Sequence, residues 1–570
     1  MTLVELCRAQ AARRGEQRQF TFLDDTGSPA QTLTCAQLDL RARAIGAVLA
    51  GRAAPGSRAV LGYPPGLDFV TAFFGCLYAG LVPVPAPAPV RTRGDARHLR
   101  LRAIFEDCAP DFLLSTVDAL ARADALLTDT APEHRPKPLA TNEIPDSAAT
   151  GWQPPAITGD SIAYLQYTSG TTGRPRGVVL TQRNVLHNLS LITANGSRPE
   201  EDLDTLPPVV SWLPVFHDMG LVSGVLQPVY LGFGSVLMSS QSFVAAPVRW
   251  LRAISEHRAA VSVAPGFGYE ECLRRVPASA AEGLDLSSWR LAVIGDEPVR
   301  ASTIEEFSRR FAPAGFRRSA FFPSYGMAES TVMVSGGPVE PPPMIRGFDA
   351  AALARGQVRV AGRGRLARRL VGLGQVRAGL DVAVVDPATR APCPPDVVGE
   401  ILISGPSIGQ GYWDTRRAAA TPFGVGVPGR DGSTFLRTGS LGFLWEGQLF
   451  ATCRVGDLII ADGRQHYPYD LESTAGLAHP AIRGNRCCAF ATPEGVVLVA
   501  ELGRSAGVVP AAVVEAVRIA IRIGHGLDLA AVVPAPFGAL PYTTSAKLRR
   551  AECRARYLRG VLPVVTSGPK

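Results

Sequence analysis

Between Tyr167 and Asn184 the chain reads YTSGTTGRPRGVVLTQRN. The ten residues Thr168 to Gly177 hold three glycines, one serine and three threonines. Glycine lets a backbone approach an anion closely, and clustered N–H groups and hydroxyls can then wrap a polyphosphate. Thr168, Ser169, Gly170, Thr171, Thr172 and Gly173 are the residues placed to do this. The string is not a Walker loop, because GxxxxGK followed by Ser or Thr would require Lys at Arg176 and Ser or Thr at Gly177. A plain glycine turn is the alternative, and the length and hydroxyl density of the run weigh against it.

Four further strings carry groups that could do chemistry. SWLPVFHDMGLVSG puts His217 and Asp218 just after an apolar segment. A histidine there can sit at a pocket mouth and meet a carboxylate, or it can be a structural histidine capped by its neighbour. WRLAVIGDEPVR ends a strand-like run in Gly295-Asp296-Glu297-Pro298. FFPSYGMAEST ends another in Ser324-Tyr325-Gly326-Met327, with Glu329 just beyond. Taken residue by residue, a strand-end turn accounts for the Gly295 string equally well, and a glutamate after alanine is usually solvent-facing. Near the C-terminus, LPYTTSAKLRR contains Lys547. Of 58 basic residues only Lys137, Lys547 and Lys570 are lysines, so drift of composition would place Arg at position 547.

The elements that must hold these groups are legible in outline. SIAYLQ leads into the glycine-rich run and VVLT leads out, both strand-like, and a helical stretch is expected to open at Asn184. VVSWLP, GSVLMSS, AAVSVAP and RLAVIGDEPV are short apolar strands alternating with helices, which predicts a parallel α/β arrangement. Such sheets place ligands at the carboxyl ends of their strands, where the strings above fall. TCAQLDLRARAIGAVLA has helical spacing with Thr34 as N-cap. RAVLGYPPGLDFVTAFFGCLYAGLVPVPAPAP predicts a strand, a turn, an apolar helix and a proline-rich exit. Residues 336–370 turn proline-rich and then basic, and read as an inserted segment outside the core. DVAVVDP, GEILISGP and LFATCRVGDLIIADG then make the chain β-rich, and a compact tail follows Arg454.

A chain of 570 residues is too long for one core, so two or more domains are expected. Its 46% hydrophobic and 19% charged residues are ordinary for a globular protein. Glu5 and Arg8 interrupt what would be the apolar part of a signal peptide, and no run is long and apolar enough to span a membrane. Ten cysteines without a CxxC pair fit reduced thiols in a cytoplasm, with no zinc spacing and no disulfide framework. The net charge of +8 is carried by arginine without a basic block interleaved with aromatics, which speaks against nucleic acid as a partner. A basic surface does suit an acidic protein partner.

The glycine-rich run, HDMGL, the Gly295 turn, YGMAE, and LPYTTSAK resemble, in this order, the motifs of the adenylate-forming superfamily of acyl-CoA synthetases, nonribosomal adenylation domains, luciferases and fatty acyl-AMP ligases. HDMGL together with HYPYDLE (His466 to Glu472) and the 336–370 insertion is similar to the fatty acyl-AMP ligase branch. The resemblance runs from roughly residue 5 to residue 560. It implies an α/β fold with a large multi-layer N-terminal domain, residues 1–453, and a small mobile α+β C-terminal domain, residues 454–570. It implies that a medium- or long-chain fatty acid reacts with ATP and Mg²⁺ to give acyl-adenylate and pyrophosphate. The acyl group then passes to the phosphopantetheine arm of an acyl carrier protein, because the insertion restrains the small domain and disfavours free coenzyme A.

Residue by residue, the resemblance places Gly295, Asp296 and Glu297 on the adenine side, beside Ser324, Gly326 and Met327. Tyr325 would stack on adenine. Glu329 would offer its carboxylate to Mg²⁺. His217 would lie near the acyl carboxylate, Arg454 beside the ribose and Asp457 at the hinge. Lys547 would bridge the acyl carboxylate and the α-phosphate. The sequence departs from the pattern at Ile294 (usually Asn), Asp296 (usually Ala), Ser440 (usually Asp, accepting both ribose hydroxyls), Cys453 and Ala546 (both usually Gly). Two rival readings follow: an acyl-CoA synthetase, and a catalytically weakened relative that binds acyl chains or nucleotides.

Overall fold

The computed structural model describes residues 1–168, 175–196, 206–337, 341–363, 366–376, 379–414, 421–503, 509–543 and 547–565. Its centre is a thirteen-stranded mixed sheet. Strands Phe321–Tyr325, Leu291–Gly295, Val261–Pro265, Val209–Ser211, Ser235–Met238 and Arg18–Leu23 lie side by side in that order and run parallel. Their runs of Val, Ile, Ala and Phe suit strands covered on both faces. Trp212, Phe243, Trp250, Tyr269, Trp289 and Phe307 pack into one aromatic core against them. The Trp250 indole N–H donates to Ser262 Oγ at 2.8 Å, and Ser262 donates to the Val210 carbonyl at 2.6 Å. These two groups are satisfied, while the Trp212 indole N–H in the same core has no partner among the described residues.

The other half of the sheet is antiparallel, with Asp381–Val385, Gly399–Ser404, Leu436–Trp445 and Gln448–Arg454 paired in sequence. A separate parallel sheet holds Val82–Pro87, Arg58–Tyr63, Phe112–Ser115 and Lys137–Ala140. The proline-rich exit expected from the sequence is thus a strand. It lies at the sheet edge, where a missing N–H deprives no neighbour. Helix Cys35–Ala50 is capped as predicted: Thr34 Oγ1 accepts the Gln37 N–H at 3.2 Å and Gln37 Oε1 accepts the Thr34 N–H at 2.9 Å. Helix Gln182–Gly196 opens earlier than Asn184, because Thr181 and Asn184 cap each other reciprocally at 2.9 and 3.2 Å.

Beyond Arg454 the chain builds its own three-stranded sheet, Ile482–Thr492, Gly495–Leu502 and Ala531–Ala535. Helices Pro468–Ala478 and Pro510–His525 cover it around Leu471, Leu498 and Val517. Within 336–370, strand Ile345–Asp349 pairs with Ala367–Val371. The expectation that this segment lies outside the core fails at Phe348 and Leu353, which are fully buried. They pack with Phe443 and Phe450 of the central sheet and with Tyr467 of the C-terminal part. An apolar side chain inserted at a junction becomes core for both sides of it.

Candidate active site

The carboxyl ends of two neighbouring parallel strands gather seven of the candidate residues. Gly295, Asp296 and Glu297 end one strand, and Ser324 and Tyr325 end its neighbour. The backbones there pass too closely for any side chain. A Cβ on Gly295 would stand 2.8 Å from Ser324 Oγ, and one on Gly326 would stand 1.6 Å from the Val332 carbonyl oxygen. Asp296 takes a left-handed backbone at φ 68°, a conformation in which an aspartate is strained but tolerated.

Lys547 reaches this point from the C-terminal part. Its Nζ lies 2.5 Å from Asp296 Oδ1, while His217 Nε2 lies 3.9 Å from Asp296 Oδ2 and His217 Nδ1 lies 2.6 Å from Asp218 Oδ1. Two carboxylates, an ammonium and an imidazole therefore share one largely buried site. Burial pulls the Lys547 ammonium down, but Asp296 and Asp218 outweigh it, and its pKa rises above the ordinary value. His217 behaves the same way, held up by Asp218 and Asp296 against burial. Burial pushes Asp218 up, yet His217 and Lys547 prevail and hold it at about 2.

Glu297 differs. Burial, then Asp296 and Glu270, push it up to about 7 from an ordinary 4.5, against one backbone N–H donated by Phe267 at 3.3 Å. The folded protein thus keeps a proton that the unfolded chain releases between those two values, so this group's contribution to stability falls as pH rises through that window. Glu297→Gln is expected to raise the melting temperature by a few degrees at pH 8 and to change it little near pH 4.5, as thermal melts at both pH values will report.

Glu329, in the turn Ala328–Ser330, is buried, and its Oε1 accepts the Tyr412 hydroxyl at 2.7 Å. The Arg176 guanidinium sits 4.2 Å over the Tyr412 ring. Tyr412 escaped the sequence reading: it lies 83 residues from Glu329, and nothing in GYW marks it. Among the described residues no group of three or more His, Cys, Asp or Glu stands ready for a metal. A single carboxylate does fit Mg²⁺ that is held mainly by phosphate oxygens and water. The Tyr325 hydroxyl is buried with no hydrogen-bond partner of good geometry among the described residues, and its polar neighbours are Ser440, Thr438 and Arg454. Ser440 faces Arg454 directly across two paired strands, so the two ribose candidates are adjacent. Asp457 is bound to Arg550 at 2.6 Å, and Arg550 also holds Glu472 at 2.7 Å.

Strands Ile162–Tyr167 and Gly177–Thr181 form an antiparallel ribbon, and the Thr168 N–H donates to the Arg176 carbonyl at 3.1 Å. The glycine-rich run connects them. Of its candidates, Ser169, Gly170, Thr171, Thr172 and Gly173 lie outside the described residues, as does Ala546. Asp218 and Asp296, the carboxylates that face Lys547, line a largely apolar cavity together with Tyr325 and Met327. The arrangement offers an acid with an apolar tail a place for that tail and a cation for its head.

Residues 7–413 match the family described as AMP-binding enzyme, and residues 456–567 match one described as Disco-interacting protein 2-like, AMP domain. The chain is 38% identical to the medium-chain-fatty-acid–acyl-carrier-protein ligase JamA of Moorena producens, over 98% of this chain and 96% of that protein. It is 35% identical to a 4-hydroxyphenylalkanoate adenylyltransferase of Mycobacterium tuberculosis, over 98% and 92%. A crystal structure of the fatty acyl-adenylate ligase from L. pneumophila, in complex with acyl adenylate and pyrophosphate, superposes with a TM-score of 0.76 at 33% identity, over 99% of this chain and 97% of that one.

Proposed function

This chain belongs to the AMP-binding enzyme family, and from that premise we propose that it is a fatty acyl-AMP ligase that loads an acyl carrier protein. Its fold is the α/β fold of the adenylate-forming enzymes. The observation that carries the reading is the Lys547 ammonium on Asp296, which with Asp218, the partner of His217, lines a largely apolar cavity. We divide the chain into a large domain, residues 1–453, and a small domain, residues 454–570.

A medium- or long-chain fatty acid enters tail first, and its carboxylate takes the place at Lys547 that Asp296 holds in the free protein. Its oxygen attacks the α-phosphate of ATP, and the P–O bond to pyrophosphate breaks. Lys547 neutralises the charge that builds on the transferring phosphoryl group. His217 holds the carboxylate in line. Tyr325 stacks on adenine, and Gly295 and Gly326 let that ring approach the backbone. Mg²⁺, held by Glu329 and the phosphates, would supply further positive charge to the leaving group. We propose a cytoplasmic location, which suits ten cysteines without a disulfide framework; among the described residues no helix is long and apolar enough to cross a membrane.

The insertion supports a carrier-protein acceptor, since it clasps the small domain. The Gln465 N–H donates to the Ala354 carbonyl at 2.7 Å, the Tyr467 hydroxyl donates to the Leu353 carbonyl at 3.1 Å, and Arg368 pairs with Asp470. Fatty-acid-dependent ATP–pyrophosphate exchange, followed by thioester assays with holo carrier protein and with coenzyme A, tests the reading. No exchange with any fatty acid sinks it, and equal rates with both acceptors sink its second half.

Ser440 sets the affinity for ATP. One hydroxyl replaces a carboxylate that could accept two ribose hydroxyls, and charge-assisted bonds are roughly twice as strong as neutral ones. Ser440→Asp is expected to lower the KM for ATP by about tenfold. The gain should be smaller with 2′,3′-dideoxy-ATP; an equal gain would place the effect away from the ribose.

A further inference from the structure

The acyl cavity is not apolar throughout. One continuous helical stretch, Asp218–Leu221, Val222–Leu226 and Gln227–Leu231, runs along its length, and Met219, Ser223, Gln227 and Leu231 line it. In a regular α-helix a row spaced by four residues drifts about 40° per step. Here Val222–Leu226 is a π-turn, whose wider winding takes back part of that drift and keeps the four side chains in one row. The cause is Pro228, which has no N–H for the Gly224 carbonyl; the Ser235 hydroxyl donates to that carbonyl instead, at 2.7 Å. Widened turns of this kind recur at functional sites.

Gln227 is 7% exposed. Its Nε2 donates to Thr193 Oγ1 at 2.8 Å and more loosely to the Leu189 carbonyl at 3.4 Å, while the Thr193 hydroxyl donates to that same carbonyl at 2.9 Å. Gln227 Oε1 is buried and has no partner among the described residues. A buried amide oxygen without a donor is a costly feature in an apolar tunnel. On the opposite wall Val261, Val263, Leu291 and Val293 offer none, and Arg290, which also lines the cavity, makes no bond to this oxygen.

Depth follows from the helix. At 1.5 Å per α-helical residue and somewhat less through the π-turn, Gln227 lies about 12 Å along the helix from Asp218, which stands beside Lys547. An extended carbon chain advances about 1.25 Å per atom, from bonds of about 1.5 Å at near-tetrahedral angles, so Gln227 meets a substrate near its tenth carbon. We propose that the acid activated here carries a hydroxyl at about that distance from its carboxylate, and that Gln227 receives it. This rests on the acid-activating reading above. A hydroxyl both donates and accepts, so it satisfies Gln227 in either orientation of the amide. A site built around such a bond rejects the analogue that lacks it, because the amide is then stranded.

The test is ATP–pyrophosphate exchange by the full-length protein with decanoic acid and with ω-hydroxydecanoic acid, in the wild type and in Gln227→Leu. The wild type is expected to favour the hydroxy acid by about tenfold in kcat/KM, and Gln227→Leu to reverse the order. The wild-type ranking stands as a test even if the variant does not fold. A wild type that favours decanoic acid overturns the proposal, and a bound water then satisfies Gln227. An unchanged ratio in a folded Gln227→Leu protein likewise removes Gln227 from recognition. If neither these acids nor any other supports exchange, the acid-activating reading itself has failed, a result distinct from a wrong ranking.

Discussion

Lys547→Ala is expected to slow acyl-adenylate formation by at least about a hundredfold, the usual scale for removing one group aimed at charge that develops in the transition state. Transfer from preformed acyl-adenylate should suffer less, because the phosphoryl chemistry is then over. Two effects are mixed in this number. The substitution removes a cation from the reacting groups, and it also strands Asp296 and Asp218 as buried carboxylates with less positive charge beside them. Lys547→Ala combined with Asp296→Ala separates the two. A double variant as slow as the single one assigns the loss to the missing cation. Substantial recovery would mean that the stranded carboxylate repels the substrate carboxylate, and that Lys547 serves mainly to neutralise Asp296. Single-turnover adenylation and thioester transfer, measured separately, distinguish these outcomes.

The Asp296–Lys547 pair also shows where sequence reading stops. Each residue was visible in its own motif, and Asp296 stood out because alanine is usual there. That the two meet across the two domains follows from how the C-terminal part docks, which no local pattern encodes. The parallel strands were legible because their apolar runs are short, β-branched and punctuated by Gly and Pro. The same rule misread Val82–Pro87, since propensity treats proline as a breaker and cannot see that a strand lies at an edge. Tyr412 and Gln227 were hidden for a third reason. Each acts through one atom, the hydroxyl on Glu329 and the unpaired amide oxygen, and single polar atoms leave no period in a sequence. Phe348 was hidden because proline-rich and basic flanks surround it, and composition averages over a lone anchor.

That anchor sets the second large effect. Phe348 is fully buried against Phe443, Phe450 and Tyr467, so it joins insertion, central sheet and small domain at one point. Arg368 supports it from the other strand of the hairpin. It pairs with Asp470 and lies 2.9 Å from His525 Nδ1. Burial, then Arg368 and His466, pull the His525 pKa down to about 3, so the imidazole stays neutral and accepts the Arg368 N–H, leaving its Nε2–H for Thr474 Oγ1 at 2.7 Å. His525 therefore keeps accepting from Arg368 across the physiological pH range. Truncating a buried Phe costs about 3–5 kcal/mol. If half of that falls on the junction, the share of molecules with a released small domain rises by about tenfold or more. Phe348→Ala combined with Arg368→Ala is expected to raise acyl-CoA formation by roughly ten- to a hundredfold while exchange of pyrophosphate into ATP persists, because adenylation needs the closed arrangement only transiently. A double variant that adenylates normally and still refuses coenzyme A would show that the acceptor is chosen by the thiol's own binding path, not by the clasp.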